Sequence, residues 1–296
     1  MKPSDEPELP FSARADAIGR AEAEDAVGEL LRRALGEGDP TAWMARLLTF
    51  IRDMKRYSVF NAKLMFLQRP GAVAVGTARY WADRGRTIRP GALPIIILVP
   101  NGPICPVYEA EDTEGSKQLD LLTGYDDRKA RTISDDDFRG FVGRVDLYGK
   151  AGKRKTGLFR VIEEGLGSAR HGDVHLRRDE SDRFVIRINR NAEPVRKFTT
   201  LLHELAHVFC GHMGPHPQAS WPDRRRLRLA TDKAQGDIKE FEAEAVAWII
   251  ASRAGIISDS PDYLASRVAP MDGQMLDINA VLNAANVIEP LSGTRT

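Results

Sequence analysis

The chain has 296 residues, a formal net charge of +1, and 42% hydrophobic and 29% charged residues. This is globular composition, which excludes a wholly disordered chain, and the length allows two ordinary domains. Two cysteines, Cys105 and Cys210, exclude a CxxC ribbon and argue against a disulfide framework. The N-terminus has no apolar signal segment and residues 95–99 are too short to cross a bilayer, so we expect a cytoplasmic protein.

Charge is distributed unevenly in the N-terminal third of the chain. Residues 1–40 contain five basic and ten acidic side chains, whereas residues 41–90 contain ten basic and two acidic ones. The positive excess indicates an anionic partner for this region. Residues 1–40 are expected to form an acidic tail and one helix, at 15–35.

The next elements predict a small α+β unit over residues 41–112. Apolar spacing predicts helices at 43–54 and 59–67, stopped by Pro70 and Gly71. Two β-rich runs, LPIIILVP and ICPVYEAE, predict strands joined by a turn at Asn101 and Gly102. Residues 113–150 are a linker or unassigned, although Ser134 is a good N-cap for a helix.

The second predicted domain covers residues 151–296. FVIRIN at 184–189 predicts a half-buried strand, and apolar residues predict helices around 201–212 and 237–250. The whole chain is therefore expected to be α+β: a small α+β N-terminal domain, then a mostly helical domain with a small sheet.

The run LLHELAHVFCGH at 201–212 contains an HExxH motif. On a helix, His203 and His207 lie one turn apart on the same face, so both can bind one metal ion. Glu204 lies about 100° away and can reach a water molecule in the open coordination position. The alternative is a core helix whose histidines are only hydrogen-bonded, but three titratable groups in an apolar helix need partners.

The third ligand is sought downstream. The longer HExxHxxGxxH motif is excluded because Cys210 and Met213 stand where it needs glycine and histidine. The helix DIKEFEAEAVAWII offers Glu240 as the ligand and Glu244, one turn on, as an acceptor for a ligating histidine. If Glu240 instead caps its helix, with Asp237 in a capping box, Glu244 becomes the ligand.

These residues predict metal-assisted hydrolysis of a peptide. Zinc would activate water, and Glu204 would act as the general base. The peptide is expected to add as a strand against FVIRIN, which requires a free sheet edge. No residue is marked as the oxyanion stabiliser, although His212, His216 and Tyr263 are candidates.

The motif and the following EFEAEAVA resemble the ImmA/IrrE type of zinc metallopeptidase. This resemblance covers roughly residues 180–256 and implies that His203, His207 and Glu240 bind zinc. Glu244 stands where that family often has asparagine.

The basic stretch at 55–91 interleaves arginine and lysine with Tyr57, Phe60, Tyr80 and Trp81. Cationic grooves with aromatic faces are typical of single-strand binders, but the aromatic residues can equally form a core under a solvated basic face. The order Tyr57-Ser58, Asn61, Gln68, Pro70, Trp81, Gly85-Arg86 and IIILVP is similar to the N-terminal single-stranded-DNA-binding domain of ArdC-like antirestriction proteins. The residues proposed to bind DNA are Tyr57, Asn61, Gln68, Arg69, Trp81, Arg84 and Arg86.

Both resemblances occur in the order found in the ArdC family. They imply a zinc metallopeptidase coupled to single-stranded DNA binding, with an antirestriction or repressor-cleavage role and a protein substrate. The alternative is a non-proteolytic DNA-binding antirestriction protein with a structural zinc site.

Overall fold

A computed structural model describes residues 40–99, 102–115, 131–150, 157–168, 170–177, 183–214, 223–225, 232–256 and 277–294. The expected helix at 15–35, the turn residue Asn101, and the oxyanion candidates His216 and Tyr263 lie outside these described residues. Within them, no helix is both long enough and apolar enough to cross a membrane.

The first part of the described chain contains three helices and two small antiparallel sheets. The helices are α1 (Pro40–Asp53), α2 (Val59–Gln68) and α3 (Ala78–Ala82). The strands are β1 (Val75–Gly76), β2 (Thr87–Ile88), β3 (Ile95–Val99), β4 (Gly102–Glu109) and β5 (Thr113–Glu114). One sheet has the order β1-β4-β3, and β2 pairs with β5. Helix α2 packs on β3.

Two side-chain amides from α2 cover the outer edge of β3. Asn61 donates to Leu98 O at 2.8 Å and accepts from Leu98 N at 3.1 Å. Gln68 makes the same pair of bonds with Ile96, both at 2.8 Å. Because β3 is the last strand in its sheet, these amides supply the bonds that a further strand would otherwise make.

The second part contains four longer helices and a three-stranded sheet. Helix α4 (Asp135–Leu147) has Ser134 as its N-cap, as the sequence predicted, and the structure adds a capping box between Ser134 and Asp137. The sheet contains β6 (Phe159–Glu164), β7 (Gly172–Arg177) and β8 (Arg183–Asn189). Helices α5 (Pro194–Phe209), α6 (Asp232–Arg253) and α7 (Ile278–Ser292) follow, and α7 packs against both α5 and α6.

The position of β8 corrects the expected peptide-binding edge. The strand order is β6-β8-β7, with β6 parallel and β7 antiparallel to β8. The FVIRIN segment is therefore the central strand, and both of its edges are already paired. Its burial on almost every residue explains the apolar run, because central strands are covered on both faces.

One hydrophobic core runs through both parts of the described chain. Where they meet, Arg253 at the end of α6 donates to Ile51 O and Tyr57 O, both at 2.5 Å, and pairs with Glu289 of α7 at 2.5 Å. Mixed helices and small sheets make the fold α+β, as predicted. The expected domain boundaries, at 40, 112 and 150, remain predictions.

Candidate metal centre

Helix α5 carries the HExxH motif, and its sequence explains its position. Pro194 occupies the first turn, where a missing N–H costs little. Apolar residues on most of the helix surface are buried, among them Leu201, Leu202 and Leu205. The helix packs against α6, and His203 and His207 lie in the partly exposed stripe that faces it.

Three potential metal ligands meet between these helices. His203 Nε2 and His207 Nε2 are 3.1 Å apart. Glu240 Oε2 lies 3.3 Å from His203 Nε2, and Glu240 Oε1 lies 3.5 Å from His207 Nε2. Two ligands about 2.0–2.1 Å from a tetrahedral zinc ion are separated by about 3.3 Å. One donor atom from each of the three residues lies within 4.8 Å of the others, and this spacing fits a divalent metal ion.

The structure separates the roles of the glutamates on α6. The helix begins at Asp232, eight residues before Glu240, so the alternative that Glu240 is part of a capping box is wrong. Glu244 lies one turn further on and contacts His203 Nδ1 at 3.1 Å, on the opposite side of that ring from Glu240. Glu242 points away from the ligand cluster and contacts His212 and Arg224.

The hydrogen bonds and burial at this site strongly shift the pKa values of the three potential ligands. Burial opposes charge on His203, but hydrogen bonds to Glu240 and Glu244 outweigh it and raise its pKa to about 10. Burial and the charge of His203 lower the pKa of His207 to about 3. The hydrogen bond with His203 lowers the pKa of Glu240 to about 2. With no metal bound, His203 is therefore protonated on both ring nitrogens and lies beside an ionised Glu240.

Glu204 lies next to this cluster and differs from the other carboxylates. Its side chain is buried, with 8% of the residue exposed, and this burial raises its pKa to about 7. A carboxylate with a pKa near neutrality is well suited to take and return a proton. Gly172, at the start of β7, lies beside this carboxylate, since a Cβ on Gly172 would be 3.5 Å from Glu204 Oε1.

An open cleft of about 980 Å³ surrounds the cluster. Its walls include residues 170–174 at the start of β7, one face of α5 from Val195 to His207, and α6 around Glu240. Among the described strands, β7 pairs only with β8, so its second edge faces outward beside the cleft. The free edge that the sequence assigned to FVIRIN therefore belongs to β7.

His212 is not placed as an oxyanion stabiliser. Its side chain is 2% exposed and lies behind His207, with the two Nδ1 atoms 3.0 Å apart. Its Nε2 contacts Glu242 at 2.8 Å, and burial lowers its pKa in spite of this carboxylate. Nothing in the local sequence pattern marked this contact, because it depends on a turn after α5.

The residues proposed to bind DNA mostly make contacts within the protein. The Trp81 ring is fully buried and its Nε1 donates to Tyr108 O at 2.9 Å. The remaining internal contacts are Tyr57 with Val75 O, Asn61 and Gln68 with β3, Arg69 with Asp112, and Arg86 with Thr113. Arg84 is exposed, and its guanidinium lies 3.7 Å from the centre of the Tyr80 ring.

Sequence reasoning did not single out Arg56, which completes this surface. Its guanidinium lies 4.2 Å from the centre of the same Tyr80 ring. Tyr80 thus contacts two arginines that are 24 and 4 residues from it in the chain. The exposed arginines Arg79 and Arg89 lie in the same region of the sequence, on α3 and just after β2.

Comparisons with known proteins find a family match and similar solved structures. No curated protein matches the chain in sequence. Two crystal structures of the antirestriction ArdC protein from plasmid R388 are similar at a TM-score of 0.39. The Mn(II)-bound structure is 14% identical in sequence, and the alignment covers 91% of this chain and 97% of the ArdC chain. The metal-free structure is 13% identical, and the alignment covers 92% of this chain and 98% of the ArdC chain. Residues 160–252, which hold the HExxH helix and Glu240, match the model of the IrrE N-terminal-like domain, Peptidase_M78. The expected resemblance to ImmA/IrrE metallopeptidases is therefore confirmed for this segment.

Proposed function

We propose that the chain is a zinc-dependent metallopeptidase in which His203, His207 and Glu240 hold the metal. The observation that carries the proposal is the cluster of donor atoms from these three residues, with a contact of 3.1–3.5 Å between each pair of residues, beside a buried glutamate in an open cleft. The match of residues 160–252 to a peptidase family supports it. A bound zinc ion would lower the pKa of a water molecule and polarise the substrate carbonyl.

The residues of the chain supply the rest of the chemistry. Glu204 takes a proton from the attacking water and delivers it to the leaving amine. Glu244 holds the ring of His203 through Nδ1, which leaves Nε2 directed at the metal position. The outward edge of β7 offers backbone N–H and C=O groups to an extended peptide, and this edge lies next to Glu204 through Gly172.

The open cleft favours a catalytic site over a structural one. Structural zinc sites are closed by four protein ligands, whereas catalytic sites keep a position for water. His212, the next histidine along the chain, presents its Nδ1 to His207 Nδ1, on the far side of that ring from the ligand cluster. This arrangement argues against the alternative of a non-proteolytic protein with a structural zinc.

The first test is zinc content per purified chain, measured by elemental analysis. About one zinc ion is expected in wild type, with loss in His207→Ala and Glu240→Ala and only weaker binding in Glu244→Ala. The Glu204→Gln variant should retain zinc, because this residue is not a ligand. No zinc in wild type after reconstitution would refute the proposal.

The second test is cleavage of a peptide library, read by mass spectrometry. Glu204→Gln should reduce cleavage by about 10²-fold or more while zinc remains bound. Undiminished cleavage by this variant would remove Glu204 from the mechanism. The natural substrate is expected to be a DNA-bound protein or a repressor.

We further propose that the N-terminal surface around Tyr80 binds single-stranded DNA. The supporting observation is the contact of Arg56 and Arg84 with the same ring, which presents two guanidinium groups and an aromatic ring together. Arginine pairs with phosphates, and the Tyr80 ring holds the two guanidinium groups side by side through cation–π contacts. A DNA-binding unit joined to a peptidase would suit an antirestriction or repressor-cleavage role.

Fluorescence anisotropy with a labelled oligonucleotide tests this surface. Arg56→Gln and Arg84→Gln should each weaken binding and reduce the slope of log affinity against log salt by about 0.7. Arg139→Gln is the matched control, because Arg139 is an exposed arginine on α4 whose ion-pair partner Asp136 is also exposed. Equal affinities for all three variants would contradict the proposal.

A further inference from the structure

The chain reverses direction directly after the HExxH helix and brings His212 against His207. Gly211 has φ +82°, a left-handed conformation that glycine adopts at little cost. His212 N then donates to His207 O at 2.9 Å, and the two imidazole Nδ1 atoms come within 3.0 Å. The nitrogen of His207 that faces away from the ligand cluster is therefore in contact with a buried imidazole.

A carboxylate fixes the orientation of His212. Glu242 is fully buried, and Arg224 donates to both of its oxygens, at 2.6 and 2.8 Å. Asp277 N donates to it as well, at 3.0 Å. Such a carboxylate acts only as an acceptor, so the Nε2 of His212, 2.8 Å away, must be the donor.

The direction of the remaining hydrogen bond follows from this one. A neutral imidazole has one donor nitrogen and one acceptor nitrogen. Because His212 donates through Nε2, its Nδ1 accepts, and His207 must donate through Nδ1. The lone pair of His207 then lies on Nε2, the atom that is 3.1 Å from His203 Nε2 in the ligand cluster. The chain of contacts thus selects the tautomer of His207 that can bind a metal.

The same residues do not form a second metal site. Cys210, His212 and Glu242 have potential ligand atoms within 4.8 Å of one another. However, the guanidinium of Arg224 already supplies the positive charge at both oxygens of Glu242. The thiol of Cys210 contacts Ala280 O at 3.7 Å, and burial raises its pKa, which disfavours the thiolate that metals bind.

We propose that His212 is a positioning residue for the metal centre, backed by Glu242 and Arg224. It holds His207 in the Nδ1-protonated tautomer through a relay of carboxylate, imidazole and ligating imidazole. His203 receives the corresponding support from a carboxylate directly, through Glu244. The inference rests on the proposed metal site, because His207 is taken as a ligand.

Two substitutions of His212 separate the roles of its two nitrogens. Asparagine places an amide oxygen near the position of Nδ1, so His212→Asn keeps an acceptor for His207. Phenylalanine keeps the ring shape but has no acceptor, so His212→Phe removes the contact. Met213→Leu is the control, since it changes a neighbouring side chain of the same turn without touching the relay.

The first readout is the tautomer of His207, from imidazole ¹⁵N chemical shifts of the metal-free protein. Wild type, Met213→Leu and His212→Asn should show a protonated Nδ1, whereas His212→Phe should show a substantial population protonated at Nε2. The second readout is zinc affinity by competition with a chelator. His212→Phe should bind zinc about 10–100-fold more weakly than wild type, with most of the loss restored in His212→Asn.

The outcomes distinguish this inference from the proposed function. A folded His212→Phe variant with the wild-type tautomer and zinc affinity would overturn the relay and leave the metal site intact. If His212→Phe does not fold, a His212→Asn variant with a Nε2-protonated His207 would overturn the relay equally. A wild-type protein that binds no zinc would refute the proposed function and, with it, the role of the relay at a metal.

Discussion

Replacing Glu204 with glutamine should stabilise the metal-free protein at neutral pH. Burial raises the pKa of this carboxyl from 4.5 to about 7, so the folded protein opposes its ionisation. Below pH 4.5 the group is protonated in both folded and unfolded chains and the penalty is absent. As pH rises from about 4.5 to about 7, the unfolded chain releases the proton first, and the folded state loses stability.

The magnitude follows from the two pKa values. Each pKa unit corresponds to about 1.4 kcal/mol, so the full penalty above pH 7 is about 3 kcal/mol. Glutamine has nearly the same shape and stays neutral at every pH. The difference in the free energy of unfolding between Glu204→Gln and wild type should therefore be close to zero near pH 4 and reach about 3 kcal/mol by pH 8.

Urea unfolding in the presence of a chelator measures this difference. Both proteins are compared at each pH, so that the titration of other groups cancels to first order. A difference that is independent of pH would refute the reasoning, because it would mean that the Glu204 carboxylate is not desolvated. The same result would remove the physical basis for its use as a general base near neutrality.

Three further predictions concern one residue beside the site and two contacts in other parts of the fold. In Gly172→Ala, the new Cβ would meet Thr200 Cγ2 at 2.6 Å, so peptide cleavage should fall while zinc content stays at wild-type level. In Arg253→Met, Glu289 is left as a buried charge, and chemical unfolding should show a loss of about 3–5 kcal/mol. Replacing Glu289 by leucine as well should recover only part of this loss, because Ile51 O and Tyr57 O still lack their donor. In Asn61→Ala, the edge of β3 loses two hydrogen bonds, and amide hydrogen exchange at Leu98 should accelerate without any change in zinc content.

The meeting of the candidate ligands could be predicted from sequence because it depends largely on helix geometry, although the sequence left the choice between Glu240 and Glu244 open. His203 and His207 are one turn apart, and Glu240 and Glu244 are one turn apart on a second helix, so each pair lies on one face. The apolar residues that flank both pairs pack the two helices against each other, so the two faces meet. The structure adds which oxygen contacts which nitrogen, and it places Glu244 on the Nδ1 side of His203.

The remaining features depend on contacts between distant segments. His212 reaches His207 through a left-handed turn at Gly211, and Arg224 reaches Glu242 from a separate loop, so neither contact has a local periodicity. The strands β6 and β7 are short and carry charged residues, and their sequences did not resemble strands. Asn61 was recognised from a motif, but its contact with β3 was not.

Most of the residues that the sequence proposed for DNA binding make contacts within the protein because they hold the N-terminal unit together. Trp81 fills the space beneath β4, and Gln68 holds β3 from the side. Such residues define the shape of the unit whatever it binds, so a motif can be diagnostic of a fold without marking the surface of contact. The exposed arginines around Tyr80 have no comparable constraint from the core.

The contact of Arg253 with the N-terminal helices sets the smallest piece of chain that can be expected to fold. The family match ends at residue 252, one residue before this arginine, and it omits α7, which covers apolar faces of α5 and α6. A fragment cut at the limits of the match would carry every proposed ligand but would expose much of its core to water. The segment that matches the family model is thus part of a larger folding unit. A fragment transferred to another protein would need α7 and a substitute for the contacts that the N-terminal helices make.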